Sequence, residues 1–145
     1  MSKQVTASAH VVIERPIADV FAFFADAEHD PLWRSGVVSI KRSGGLGLGT
    51  RYEQTVSGPG GRSISANIEV TGFEPDRLLT FVTTSGPVRP HGSYQFDVVP
   101  NGTEVRFTLA AELSGIKALA MAGAVQRTMS AEVGALHRAK AYLES

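Results

Sequence analysis

The chain has 145 residues, 43% of them hydrophobic and 19% charged, the size and composition of one globular domain with a core of its own rather than of a disordered segment. Its 14 basic and 14 acidic residues cancel to a formal charge of zero, which argues against nucleic acid as a partner and against strong attraction to anionic membranes. Cysteine is absent, so disulfides, thiolate nucleophiles and cysteine metal sites are excluded, and a cytoplasmic setting is expected.

The opening stretch MSKQVTASAH is polar and does not read as a signal peptide; no run approaches the ~20 apolar residues that span a bilayer, so stable membrane insertion is not expected. Val5 to Glu14 is rich in β-formers and predicts a first strand ending on Val11, Val12 and Ile13. Pro16 suits the first turn of a helix, where its missing amide proton costs nothing. Val20, Phe23 and Phe24 then fall at i, i+3, i+4 and mark one apolar helical face. A second short helical turn is read over Glu28 to Trp33. From Val37 to Leu113 the period changes to two. Six strands are predicted at 37–41, 50–57, 62–73, 78–84, 92–99 and 103–113, punctuated by Gly44-Gly45, Gly58-Pro59-Gly60-Gly61, Pro75-Asp76, Gly86-Pro87 and Asn101-Gly102. Asn101-Gly102 is the strongest hairpin signal, because both residues tolerate the positive φ of a two-residue turn. Alternation in Ile64-Ala66-Ile68-Val70, Tyr94-Phe96-Val98 and Val105-Phe107-Leu109 gives each strand one apolar face, the mark of an antiparallel sheet covered on one side.

Ile116 to Leu143 lacks proline and predicts one long helix, with Met121, Val125, Met129, Val133, Leu136 and Leu143 as its apolar stripe. At ~1.5 Å per residue it would reach roughly 40 Å, against roughly 33 Å for a ten-residue strand, so it can cross a whole sheet. Gly123 and Gly134 each cost about 1 kcal/mol relative to alanine inside a helix, and mark either a break near Gly123 or a place where the helix backbone needs clearance. The prediction is thus α+β, in the order β-α-α-β6-α, with seven strands around a long C-terminal helix in a single domain over residues 1–145.

That order is the helix-grip order, and the chain resembles the START-like (SRPBCC) superfamily, which includes polyketide cyclase/dehydrase-like proteins, lipid-transfer START domains and the birch-pollen-allergen (Bet v 1) type. The resemblance is carried by Val12-Ile13-Glu14-Arg15-Pro16, Asp19-Val20-Phe21, Asp26, Trp33, Gly47-Leu48-Gly49-Thr50, Phe73-Glu74-Pro75-Asp76-Arg77-Leu78, Asn101-Gly102-Thr103-Glu104-Val105 and Ala135-Leu136-His137-Arg138-Ala139-Lys140. It implies a cavity between the concave sheet face and the last helix. Small residues on that helix (Ala118, Ala120, Ala122, Ala124, Ala131 and Ala135) can leave a void, and Met121 and Met129 can adapt to more than one guest. It implies no shared catalytic set, since members of such folds differ in function.

The chemical motifs are sparse. The run Gly44 to Gly49 lacks G-x-G-x-x-G spacing and precedes a strand, so it reads as a connection and not a phosphate loop. His10, His29, His91 and His137 are scattered and show no ligand spacing, so no metal and no cofactor are expected. Glu28-His29-Asp30 reads as a solvated loop. Arg51, Glu53, Arg62, Glu69, Asp97 and Glu104 fall on the polar phase of their strands. Gln54, however, shares a face with Tyr52 and Val56; if they point inward it does too, and a buried amide needs partners. Tyr94 brings a phenol to the apolar face. Thr83 and Ser93 are lesser candidates.

The expected ligand-binding residues are Trp33, Tyr52, Gln54, Phe81, Tyr94, Phe107, Met121, Val125 and Met129, with Trp33 at the entrance or anchoring the short helices. The leading functional expectation is a module that binds a small hydrophobic molecule, a lipid, isoprenoid or polyketide-like compound. The alternatives are a polyketide cyclase/dehydratase-type enzyme, with His91 and Tyr94 as catalytic candidates and Gln54 beside them, and a co-chaperone-like protein-interaction module. The oligomeric state is left open, a homodimer included.

Overall fold

In the computed structural model, which describes residues 2–145, the alternation read along the chain becomes a curved antiparallel sheet of eight strands with helices on its concave side. β1 (Ser2–Ile13) leads into α1 (Ile17–Ala25) and a 3₁₀ helix (Ala27–Leu32). β2 (Val37–Ser43), β3 (Arg51–Ser57), β4 (Ser63–Ser65), β5 (Ile68–Glu74), β6 (Leu78–Thr83), β7 (His91–Val99) and β8 (Gly102–Ser114) follow. Three helical segments close the chain: α2 (Ile116–Ala120), α3 (Ala122–Gly134) and α4 (Leu136–Glu144).

The sheet runs β1-β8-β7-β6-β5-β3-β2, so the first strand pairs with the last, and β4 extends the pairing of β3 off this path. Seven strands therefore form the predicted path, and the eighth arises because the strand expected over 62–73 divides at Ala66-Asn67. The side chain of Asn67 bridges the division: its Oδ1 accepts the backbone N–H of Gln54 at 3.0 Å, where an unbroken strand would have offered a carbonyl. The pairing register slips between Val37 and Ser39 and between Val70 and Gly72, and such irregularities bend and twist a sheet.

The hairpin between β7 and β8 forms as expected, but its loop residues are Pro100 and Asn101, since Val99 pairs with Gly102. Gly102 serves a different end. It has φ +150°, and a Cβ there would lie 2.1 Å from the Ile13 backbone oxygen, so glycine lets the end of β1 close over the hairpin.

The expected single helix over 116–143 bends twice. Met121 (φ −90°, ψ 0°) separates α2 from α3, two residues before the glycine where a break was anticipated, and Ala135 (φ −68°, ψ −7°), which follows Gly134, separates α3 from α4. At both points the backbone N–H is shared among several carbonyls of the preceding turn, a tightening that redirects a helix without ending it. The redirected segments follow the curved sheet: α2 packs on β8, α3 on β1 and β8, and α4 on β1. Val125, Met129, Val133 and Leu136 of the predicted stripe are buried with Val5, Ile13, Val105 and Leu113, while Met121 is 46% exposed. α1 adds Val20, Phe21, Phe23 and Phe24 to the same core.

Candidate functional site

Because the last helices cover the β1–β8 half of the sheet, the β3–β6 half faces a space they do not fill. A cavity of about 520 Å³ occupies it, lined by residues of α1, the 3₁₀ helix, β3 to β8 and α3. Phe24, Tyr52, Ile68, Val70, Leu79, Phe107 and Leu109 supply a mainly apolar, buried floor. On α3 and the bend before it, Met121, Ala124, Val125, Thr128, Met129 and Glu132 form one lining stripe at i, i+3, i+4, i+7, i+8 and i+11. The exposed lining residues, Ser57, Ser65, Pro87, Met121, Ala124 and Thr128, mark the open end. Gly92 keeps the floor flat beneath Phe81, where a Cβ would sit 2.4 Å from the ring tip.

One cluster of polar groups interrupts this wall. Asp30 ends a turn of the 3₁₀ helix and Arg34 follows it at i+4, which places both on one side of that turn. The Arg34 guanidinium donates from Nη1 to Asp30 Oδ2 (2.8 Å) and Gln54 Oε1 (3.0 Å), from Nε to Glu132 Oε2 (2.7 Å) and from Nη2 to Glu132 Oε1 (3.3 Å). A single cation thereby joins the 3₁₀ helix, β3 and α3. Gln54, 5% exposed, is satisfied on its other side by donating Nε2–H to the Ala66 carbonyl at 2.8 Å. At the start of the same 3₁₀ helix, Glu28 accepts the Arg42 backbone N–H and Asp26 pairs with the Arg42 side chain, which fastens the helix to β2.

Burial sets the electrostatics. Asp30 is 4% exposed, and desolvation pushes its carboxyl from 3.8 up to about 6; the charge and hydrogen bond of Arg34 oppose that rise, and nearby Glu132 adds to it. Desolvation alone would weaken the Arg34 charge, but Glu132 and Asp30 outweigh it and hold the guanidinium above its ordinary value. Tyr94, 6% exposed, stacks on Phe107 with ring centroids 4.4 Å apart. Burial first and Asp30 second raise its phenol well above 10, so it stays protonated. The Tyr94 hydroxyl bonds to no other described residue, and it is not sealed from solvent, so it opens on the cavity. Tyr52, by contrast, is used structurally: its oxygen accepts the Ala27 N–H at 3.3 Å, and burial lifts its phenol to about 12.

Of the residues singled out in the sequence, Tyr52, Gln54, Phe81, Tyr94, Phe107, Met121, Val125 and Met129 all line the cavity, and so does Thr83. Trp33 does not. It is 2% exposed, edge-on to Phe24 and Phe107, and its position is that of an anchor behind the wall, not part of an entrance. His91 also stays outside: Gly92 and Tyr94 face inward, so alternation turns His91 and Ser93 to the other face, and His91 is exposed. Of the helix alanines, only Ala124 borders the space; Ala122 and Ala135 are packed into the core, and Ala120 and Ala131 face solvent. Sequence reasoning missed Asp30, Arg34 and Glu132. Asp30 is buried and not in a solvated loop; the opposite charges of Asp30 and Arg34 at i+4 were the only local signal, and Glu132 joins them from 98 residues away.

Residues 4–144 match the family described as polyketide cyclase / dehydrase and lipid transport. The chain belongs to that family. A comparison with curated protein sequences finds no significant match. Among solved structures, the di-domain ARO/CYC StfQ from the steffimycin biosynthetic pathway superposes with TM-score 0.80 at 16% identity, over 97% of this chain and 51% of that one. The chain thus spans about half of that di-domain protein. A protein from Thermus thermophilus gives TM-score 0.78 at 22% identity over 97% of both chains. Ara h 8.0201 gives 0.71 at 13% identity, over 97% of this chain and 98% of that one. These likenesses show the helix-grip fold. No helix among the described residues is long and apolar enough to cross a membrane.

Proposed function

We propose that this chain binds a small, mainly apolar molecule, a lipid, isoprenoid or polyketide-like compound, between the sheet and α3. The observation that carries the reading is the cavity itself: about 520 Å³ of space with an apolar floor and its charged side chains gathered around Arg34. That volume lies within the roughly 300–1,000 Å³ of small-molecule sites. Burial of ligand surface at roughly 25 cal/mol per Å² supplies affinity, and the polar end supplies orientation.

Native mass spectrometry of freshly purified protein, followed by organic extraction, tests this. An apolar adduct of a few hundred daltons, on the order expected for a pocket of this kind, is the expected result. Val125→Trp, which places an indole in the space, should lose the adduct and keep its fold by circular dichroism. The bare chain mass from several expression hosts, with no binding of any apolar probe, would refute the reading.

A second reading, a cyclase/dehydratase-type enzyme, draws on one observation. An unbonded phenol, Tyr94, lies in the same apolar site as Asp30, a carboxyl that burial raises to about 6. Such a pair can hand a proton to and from a folded polyketone chain. Turnover lost in Tyr94→Phe with ligand binding kept would favour catalysis over carriage. The protein-interaction alternative would call for an interior filled by side chains, and the space beneath α3 offers it no support.

A further inference from the structure

The charges in the cavity wall do not cancel. Among the described residues that line it, the acidic and basic side chains are Asp30, Glu132 and Arg34. Two carboxylates face one guanidinium, so the polar end is an anionic pole. An arginine in an apolar pocket ordinarily invites a carboxylate or phosphate, because its planar fork matches two acceptor oxygens. Here four of the five N–H donors are taken: Nε and one N–H of Nη2 hold both oxygens of Glu132, and Nη1 is divided between Asp30 and Gln54, so a single Nη2 N–H is left and no pair of donors for a bidentate acid. What remains open points to other chemistry: Asp30 Oδ1 accepts no hydrogen bond from a described residue, and the Tyr94 hydroxyl has no partner among them. Both residues line the cavity.

We infer that this pole selects ligands that present a hydroxyl, a phenol or an alcohol, and rejects ligands that end in a carboxylate, an inference that rests on the binding reading above and names the class of compound it admits. A ligand hydroxyl can donate to Asp30 Oδ1 while accepting from the Tyr94 O–H, which satisfies both groups at once. A ligand carboxylate would add a third negative charge to a site with one cation, beside an Asp30 that is only 4% exposed and so weakly screened. The burial that pushes Asp30 up to about 6 is the same penalty on negative charge that the incoming group would meet. Free fatty acids are therefore excluded, and hydroxylated aromatic or terpenoid compounds are admitted.

The test uses the purified full chain with the uncharged fluorescent probe N-phenylnaphthylamine, displaced near neutral pH by naphthol or by naphthoate, two competitors of similar shape. Naphthol should displace the probe at a concentration lower by about tenfold or more, the scale of a repulsion between nearby charges in a poorly screened site. Asp30→Asn should narrow that gap; Glu132→Gln serves the same purpose if Asp30→Asn does not fold. Equal or better displacement by naphthoate overturns the charge preference while leaving the binding reading in place. Failure of the probe to bind at all overturns the binding reading, and this inference with it.

Discussion

Replacing Arg34 by methionine keeps most of the side-chain length and removes the one cation of the polar cluster. Asp30 and Glu132 would then face each other uncompensated, and Gln54 would lose the donor to its Oε1. Breaking a buried pair by deleting one partner costs about 3–5 kcal/mol, because the remaining charge stays desolvated. The Glu132 side chain keeps 23% of its exposure and can turn toward water, whereas that of Asp30, at 6%, cannot. The expected loss is therefore near the lower bound, about 3 kcal/mol, which for a chain of this size corresponds to roughly 6–12 °C in melting temperature. Its pH dependence has a definite sign. Arg34 lowers the Asp30 pKa in the wild type, so in the variant Asp30 takes up its proton at higher pH than about 6. The deficit should be full in alkaline solution and shrink as pH falls and Asp30 becomes neutral. Urea unfolding of both proteins across that range measures it. A loss below about 1 kcal/mol, or one that grows on acidification, would show that the cluster is solvated and that the argument from burial is wrong.

Asp30→Asn isolates the carboxyl. Its folded value of about 6 against 3.8 means that the folded state holds the proton more tightly, so its contribution to stability is present below about pH 4 and is lost as pH rises through about 6. Relative to wild type, the variant should gain up to roughly 3 kcal/mol across that interval, read from denaturant midpoints; a flat difference would contradict the raised value. Tyr94→Phe removes a hydroxyl with no bonding partner among the described residues, so stability should change by less than about 1 kcal/mol while affinity for hydroxylated ligands falls. A large drop in melting temperature would mean that the phenol is structurally engaged. Gly102→Ala puts a Cβ 2.1 Å from the Ile13 oxygen, in backbone that cannot swing aside. About 2–4 kcal/mol should be lost, and an unperturbed melt would mean that β1 does not close there.

The fold was readable because its signals are local and periodic. Tyr94-Phe96, Val105-Phe107-Leu109 and the stripe from Val125 to Leu136 each declare a face within a few residues, and a single burial preference fixes them. Gln54 was readable for the same reason: an amide on the apolar phase of β3 has to meet something. The breaks were harder. Nothing in the side chain of Met121 or Ala135 disfavours a helix, and the bends there follow the curvature of the sheet beneath, a property of the assembled molecule. The split at Asn67 is bridged by a hydrogen bond to Gln54, thirteen residues earlier. The ionic cluster lies at the far end of this scale. Asp30 and Glu132 look like ordinary surface residues of a polar turn and a helix until folding sets them on either side of one guanidinium.

The adjacency of β1 and β8 also bears on how the molecule is made. Ser2 pairs with Ser114 and Ile13 with Thr103, so the opening strand meets its only sheet neighbour across about a hundred residues of intervening chain. On a ribosome it must wait, its valines and isoleucine uncovered, until β8 has been synthesised. Contacts of that sequence separation slow folding and leave an unpaired edge open to other chains in the meantime. Yield during expression should accordingly respond to temperature and chaperone supply more than the stability of the finished protein would lead one to expect.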